Sequence, residues 1–225
     1  EAMTLPMFCI KLRPNEGFSC IIDSKAARYA GEKWHYSKRL PVGKLVRLGV
    51  WEGDRFIGAV VFSWGANHNL SSQFGLKMTE CAELVRVALR AHEAPVTRIV
   101  AEAIRILKQH SPGLRVVVSF ADPDQGHVGR IYQAGNWVYL GATPPKKDLM
   151  DRDGVTLNRR AYTGQTFGKE RQAIPRGAKW IRVSGKHRYA MPLDKAMRRL
   201  LLRRALPYPQ PADEVSTGDT SVPPR

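Results

Sequence analysis

Asp122 is the acidic side chain whose place in the sequence best suits it to chemistry. It comes two residues after the end of the apolar run 114–120, which is typical of a strand buried on both faces. A carboxylate at the end of such a strand emerges at the mouth of a sheet, where it can accept a proton or help to hold a metal ion. The structural alternative is that Asp122, which precedes Pro123, simply caps a turn.

Tyr132, His35 and Tyr36 are the other candidate catalytic residues. Tyr132 lies in a short predicted helix, where an aromatic side chain can equally serve packing; its phenol, with a pKa of about 10, could protonate a leaving group. His35 and Tyr36 begin a basic loop that continues to Arg39. The residue types of this loop fit two roles equally well. One is catalysis or metal binding, and the other is contact with DNA.

The chain is strongly basic, and the excess positive charge is concentrated towards its C-terminal end. Its 225 residues include 36 Lys/Arg against 20 Asp/Glu, a formal net charge of +16, and residues 159–204 alone hold fourteen Lys/Arg against two acids. Such a density favours a polyanionic partner over a merely solvated surface, with a basic helix on a membrane as the weaker alternative. The residues predicted to contact nucleic acid are Lys38, Arg39, Lys186, His187, Arg188, Arg198 and Arg199.

Composition argues against three classes of protein. Three cysteines without regular spacing do not form a disulfide framework, and no apolar run reaches the roughly 18 residues of a membrane span. The sequence also opens without the basic and apolar regions of a secretory signal. We therefore expect an intracellular protein that does not insert into a membrane.

The hydrophobic pattern predicts a mixed α/β sheet that positions the candidate residues. Predicted strands span residues 8–13, 44–51, 55–62, 82–90, 114–120, 137–140, 155–162 and 179–189. Predicted helices span residues 17–34, 95–109, 127–134 and 193–205. We expect one domain over residues 4–206, in which 159–204 form a basic C-terminal hairpin and helix, and a disordered, Pro-rich tail over 207–225.

The central block resembles the core of the GNAT acyltransferase fold. A strand, a helix, a buried strand and a short helix occur in the family's order, and the short helix carries Tyr132, followed by Gly135 and Trp137. The resemblance implies a central sheet flanked by helices, with Tyr132 placed where two strands splay apart to protonate a leaving thiolate. The residues that we predict to bind the donor are Val87, Arg90 and Asn136.

The chain departs from that family at residues 90–95. GNAT enzymes cradle the coenzyme A pyrophosphate on the backbone amides of a glycine-rich turn at a helix N-terminus. Here the glycines are missing, and Glu93 would repel a pyrophosphate. The sequence therefore argues against acetyl-CoA as the donor.

A second resemblance covers about three quarters of the chain. It depends on six short motifs that occur in one order: WHYSK (34–38), FSWG (62–65), SFAD (119–122), YQAGN (132–136), GKHRY (185–189) and PLDKA (192–196). Together they resemble the Mom family of phage DNA modification proteins. The resemblance implies transfer of a glycinamide-type carbamoylmethyl group to N6 of adenine in phage DNA, which protects the DNA from host restriction in the host cell cytoplasm.

The same resemblance implies cofactors and partners. It implies an iron requirement, for which His35 and Asp122 are the candidate ligands, although the histidines show no metal-ligand spacing of their own. The expected partners are double-stranded DNA and a small-molecule or aminoacyl-type donor, and a homodimer remains an open alternative to a monomer. Since adenine N6 lies within the base stack, we expect the base to flip out towards aromatic side chains such as Trp64 or Tyr36.

Two other functions remain open at this point. One is a GNAT N-acyltransferase that uses acetyl-CoA on an amine of RNA, protein or a small molecule. The other is a non-catalytic nucleic-acid-binding protein, for which the basic segment would suffice. Stabilisation by acetyl-CoA would favour the first, and unchanged function after substitution of Asp122 and Tyr132 would favour the second.

Overall fold

The computed structural model describes residues 19–35, 44–64, 69–154, 156–157, 162–163 and 172–210. The predicted strand 8–13 and three predicted site residues, Tyr36, Lys38 and Arg39, lie outside these residues. None of the helices in the described part of the chain is long and apolar enough to span a bilayer.

A seven-stranded sheet forms the centre of the molecule. Its spatial order is β1 (Ser19–Ile22), β2 (Leu45–Glu52), β3 (Arg55–Ser63), β4 (Cys81–Leu89), β5 (Val116–Ala121), β10 (His187–Pro192) and β6 (Val138–Ala142). Neighbouring strands are antiparallel except for β4 and β5, which run parallel. This sheet, with its last strand inserted between β5 and β6, confirms the mixed α/β class that the sequence predicts.

The described residues also form one small sheet, five α-helices and two short 3-10 helices (Met78–Glu80 and Pro123–Gln125). The small antiparallel sheet has the order β8 (Thr156–Leu157), β7 (Lys146–Met150) and β9 (Lys179–Val183). The helices are α1 (Ser24–Lys33), α2 (Asn69–Ser72), α3 (Val96–His110), α4 (Arg130–Ala134) and α5 (Lys195–Leu202).

The helices cover both faces of the large sheet because successive strand residues point to opposite sides. On β5, Val117 belongs to the core formed with α3, whereas Val116 and Val118 pack in the cluster that contains Met197 and Leu201 of α5. The apolar stripe of α3 repeats every three or four residues, as a helix with one buried face requires. Three alanines of α1 pack on the β2–β4 end of the sheet.

Three predicted elements differ from the structure. The first helix begins only at Ser24, because residues 19–22 pair with β2 as an edge strand and Asp23 caps the helix. The single strand predicted over 179–189 is two strands, β9 and β10, which belong to different sheets. Strand β7 was not predicted, because its first half is charged and shows no strand-like alternation.

The chain end is also better anchored than the sequence suggests. Residues 207–210 were assigned to a disordered tail, but Tyr208 packs near Tyr189 and its hydroxyl donates to the carbonyl of Trp137 at 2.7 Å. The prediction is therefore wrong for these four residues. Residues 211–225 lie beyond the described part of the chain.

Candidate active site

A cleft opens where the parallel strands β4 and β5 separate. Their register runs from Cys81 opposite Val116 to Leu84 opposite Ser119, and it ends there. The register of β3 against β4 shifts just beyond this point, which indicates a bulge in β4 at Val85. Because bulges bend a strand, this one helps to turn β4 away from β5.

The cleft contains a cavity of about 560 Å³. Its walls come from the middle of β4, the end of β5, the loop before α4 and α4 itself, the residues that follow α1, and the loop before β10. Five residues that the sequence singled out line it: His35, Val87, Asp122, Tyr132 and Lys186. The structure thus brings together side chains that are up to 151 positions apart in sequence.

Asp122 is bound on both carboxylate oxygens. Oδ1 accepts a hydrogen bond from the backbone amide of Asp124 at 3.2 Å, so the turn-capping role considered from sequence is present. Oδ2 lies 2.8 Å from Nζ of Lys186. Asp122 can therefore cap the turn and also act in the cleft. Its Oδ1 fixes the carboxylate, while its Oδ2 holds the ammonium group of Lys186 at the cavity wall.

His35 is a neutral imidazole at the wall of the cleft. The residue is only 9% exposed. Burial, followed by the nearby positive groups Arg86, His127 and Lys186, lowers the pKa of His35 from 6.5 to about 4. At neutral pH the ring can therefore accept a hydrogen bond or a proton, or bind a metal through a ring nitrogen.

Tyr132 is buried, and its hydroxyl is part of a short hydrogen-bond chain. The Ser119 hydroxyl lies 2.8 Å from the carbonyl oxygen of Leu84 and 2.7 Å from the Tyr132 hydroxyl. Since serine has one hydroxyl proton and a carbonyl can only accept, Ser119 donates to Leu84 and Tyr132 donates to Ser119. This chain bridges β4 and β5 at the point where they part.

Glu83 is a cleft residue that sequence reasoning missed. It lies on β4 and lines the cavity, and burial raises its pKa even though the charges of Arg86 and Lys186 oppose that change. Within the described part of the chain, no group is in hydrogen-bond or salt-bridge contact with its carboxylate. The available sequence signal was an acidic residue inside a strand whose other residues, apart from Arg86, are apolar.

Two predicted donor-binding residues lie outside the cavity lining. The guanidinium of Arg90 lies 5.7 Å from the ring centroid of Trp34, a cation–π geometry. Asn136 is exposed in the turn between α4 and β6, where its φ of 57° is one that Asn tolerates better than most residues. Neither position supports the donor contact that we predicted, whereas Val87 does line the cleft.

The predicted nucleic-acid contacts fall into three groups. Arg188 is engaged internally by the side chain of Gln73 and by the carbonyl of Leu140, and Nδ1 of His187 lies 2.9 Å from the Tyr139 hydroxyl. Lys186 points to Asp122. Among the predicted contacts that lie within the described residues, Arg198 and Arg199, on the outer side of α5, are the exposed cations.

An internal carboxylate fills the turn between β4 and α3. Oε1 of Glu52 accepts hydrogen bonds from the backbone amides of Glu93 and Ala94, each at 2.8 Å, and Oε2 lies 2.6 Å from Arg55. Amides at a helix N-terminus are the groups that commonly bind phosphate. In this protein two amides of that turn are already satisfied by the chain itself.

The described residues do not bring together a complete set of metal ligands. No group of three or more His, Cys, Asp or Glu side chains among them could hold an ion. His35 and Asp122, the candidate iron ligands, both line the cleft, but Lys186 occupies Oδ2 of Asp122. The donor set for iron is thus incomplete among these residues.

Three known proteins are similar to this chain. The methylcarbamoylase Mom of Escherichia phage Mu is 25% identical over 186 residues, which is 78% of this chain and 76% of that protein. Spermidine N-acetyltransferase from Vibrio cholerae, solved with CoA and spermine, is 9% identical with a TM-score of 0.42. The match covers 79% of this chain and 96% of the acetyltransferase chain. The GNAT domain of PAT from S. lividans is 14% identical with a TM-score of 0.40. The match covers 78% of this chain and 89% of that domain.

A protein-family model matches most of the chain, including the whole cleft. The model of the Mom protein family aligns with residues 19–210, which include every residue that lines the cavity. By this match, the chain belongs to the Mom protein family.

Proposed function

We propose that this protein is a phage DNA-modifying transferase that adds a carbamoylmethyl group to N6 of adenine and so protects the DNA from host restriction. Family membership over residues 19–210 carries the proposal, together with the methylcarbamoylase name of the similar phage Mu protein. The cavity of about 560 Å³ lies within the range of small-molecule sites, roughly 300–1,000 Å³. That volume suits a flipped purine beside a small donor.

In the proposed reaction, N6 of adenine forms a bond to the methylene carbon of the donor. The bond between that carbon and the leaving group breaks, the leaving group takes the electron pair, and the N6 proton passes to a carboxylate. Adenine N6 is a poor nucleophile because its lone pair is delocalised into the ring. Removal of its proton by a nearby base therefore lowers the barrier.

Glu83 suits the role of that base. Its raised pKa makes it a stronger proton acceptor than an ordinary carboxylate, and it lies on the cavity wall. Asp122 fixes Lys186 so that a positive charge lies at the cavity, where it would stabilise a departing anion. Neutral His35 can accept a hydrogen bond from the exocyclic amine.

The acid role that the sequence suggested for Tyr132 stays a prediction. Its phenol proton is directed to Ser119 in this structure, so that donation to a leaving group requires the Tyr132–Ser119 bond to open first. In the resting geometry the Tyr132–Ser119 bond instead ties α4 to β5, and the Ser119–Leu84 bond ties β5 to β4.

The turn before α3 favours a donor that is not coenzyme A. The Glu52 carboxylate holds the Glu93 and Ala94 amides, and its negative charge would repel a pyrophosphate. A small-molecule or aminoacyl-type donor held within the cleft avoids that conflict. In a thermal-shift assay we expect no stabilisation by acetyl-CoA; a clear shift would support the acetyl-CoA-dependent acyltransferase instead.

Nucleoside mass spectrometry tests the reaction directly. DNA from cells that make the wild-type protein should contain adenine with the added mass of a carbamoylmethyl group, whereas DNA from cells that make Asp122→Ala should not. Asp54→Ala, at the exposed β2–β3 turn, is the matched control and should modify like the wild type. Both variants should keep their DNA affinity.

Two outcomes contradict the proposal. Modified adenine at the wild-type level in the Asp122→Ala sample would remove Asp122 from the site. A wild-type protein that binds DNA but leaves every nucleoside unmodified would favour the non-catalytic nucleic-acid-binding alternative.

A further inference from the structure

The small sheet is attached directly to the mouth of the cleft. The loops 143–145 and 184–186 connect it to β6 and β10, and they are bonded to each other: Thr143 donates its amide to the carbonyl of Lys186 at 2.9 Å, and its hydroxyl accepts from the Lys186 amide at 2.9 Å. The amide of Ser184 also donates to Asp124 at 2.9 Å. Because Lys186 reaches Asp122, a molecule bound on this sheet lies beside the cleft.

One face of this sheet presents two cations and an indole. The strand register places Lys147 opposite Arg182 and Leu149 opposite Trp180, so these four side chains share a face. Leu149 is fully buried, whereas Lys147 and Arg182 are exposed and Trp180 is 43% exposed. Cations for phosphates and a flat aromatic ring for a base are the groups with which proteins bind opened nucleic acid strands.

The surrounding segment has the charge that this partner requires. Residues 143–186 contain eleven Lys/Arg and four Asp/Glu. By contrast, Arg188 on β10 is bound by Gln73 and Leu140 and is not presented to a ligand. The cationic surface next to the cleft is therefore that of the small sheet rather than that of β10.

We propose that the face formed by Lys147, Trp180 and Arg182 binds DNA next to the target nucleotide, with the two cations on phosphates and the Trp180 indole stacked on an unpaired base. The inference depends on the proposed function, since it takes DNA as the substrate. The target adenine must leave the duplex to expose N6 in a cavity, and this leaves neighbouring bases without their stack. The indole replaces that lost stacking.

Fluorescence anisotropy with the full-length protein and fluorescein-labelled duplexes tests this surface. One duplex is fully paired, and the other carries a single unpaired adenine. Trp180→Ala should weaken binding of the second duplex by roughly tenfold and of the first by much less. Trp180→Phe, which keeps an aromatic face, should restore most of the affinity.

The cations are tested by the salt dependence of binding. The double variant Lys147→Ala/Arg182→Ala should weaken binding of both duplexes and reduce the slope of log K against log salt by about 2. The matched control is Lys25→Ala/Arg28→Ala, which removes the same charge from the exposed side of α1 and should keep the wild-type slope. Circular dichroism verifies that each variant is folded, and Lys147→Gln/Arg182→Gln replaces the alanine pair if that pair does not fold.

Three results would overturn the inference. They are wild-type affinity and slope in the folded sheet variants, an equal loss of affinity in the α1 control, and tighter binding of RNA than of DNA with the same sequence. If the wild-type protein modifies no adenine but binds DNA through this face, the surface stands and the proposed reaction fails. If it modifies DNA and the sheet variants modify and bind equally well, the reaction stands and the surface fails.

Discussion

At the scale of single residues, the cleft combines a neutral histidine, two carboxylates and an ammonium within one cavity. Asp122 could be predicted from sequence because it follows a buried strand directly. Glu83 could not, because its relevance depends on β4 separating from β5 beyond Leu84, and nothing in the local sequence shows that separation. The same holds for the Ser119 hydroxyl, which joins β5 to β4 through the carbonyl of Leu84 and to α4 through the hydroxyl of Tyr132.

Glu83→Gln tests the proposed base. It keeps the shape of the side chain but removes the proton acceptor, so we expect the modification rate to fall about 100-fold or more while DNA affinity is unchanged. Quantitative nucleoside mass spectrometry measures the rate, and Glu32→Gln on the exposed side of α1 is the control. A Glu83→Gln protein that modifies DNA at the wild-type rate would assign the proton transfer to another group.

His35 makes the stability of the fold depend on pH. Its pKa is lowered from 6.5 to about 4 in the folded state, so that the unfolded chain binds the proton more tightly. Stability is therefore fully present above about pH 6.5 and is lost as the pH falls towards 4, by up to about 3 kcal/mol. Urea unfolding at pH 7 and at pH 4.5 should show this loss in the wild type and a smaller one in His35→Gln; equal losses would contradict it.

At the scale of elements, the apolar strands and the amphipathic helix α3 are the parts that sequence pattern predicts well. Their boundaries follow from burial: β5 is apolar at almost every position, and α3 has one continuous apolar stripe. Strand β7 escapes prediction because only Leu149 of its five residues is buried. The division of 179–189 into two strands depends on pairing with different sheets, which is a non-local choice.

The turn before α3 provides a prediction at this scale. Glu52→Ala would leave the Glu93 and Ala94 amides without their acceptor and Arg55 without its partner. We expect a loss of about 1–3 kcal/mol in the free energy of unfolding, measured by urea denaturation. Glu52→Gln retains one acceptor oxygen and should lose less; an unchanged free energy in Glu52→Ala would show that water replaces the carboxylate without cost.

At the scale of the whole molecule, the two sheets are joined through a narrow contact between loops. Gly185 lies so close to Thr143 that an added Cβ would be 1.6 Å from its carbonyl oxygen. The contact places Lys186, and through it the charge beside Asp122. No sequence pattern reveals this contact, because the two loops are about forty residues apart and neither belongs to a regular element.

Gly185→Ala should therefore disturb both the fold and the site. The added methyl group forces the loops apart, so we expect destabilisation by about 1–3 kcal/mol and a marked loss of modification. Gly113→Ala is the matched control, since an added Cβ there meets nothing within 4 Å. Thermal melting and nucleoside mass spectrometry measure the two effects, and a Gly185→Ala protein that equals the control in both would contradict the proposed link.

The anchored chain end affects the tendency of this protein to aggregate at high concentration. Strand β6 lies at the edge of the large sheet, where unpaired backbone groups invite pairing with a second molecule. The amide of Leu206 donates to the carbonyl of Tyr139 at 3.0 Å, and the Tyr208 hydroxyl donates to that of Trp137 at 2.7 Å. Two outward carbonyls of the edge are thus occupied by the chain's own continuation, which protects this edge against sheet-to-sheet aggregation.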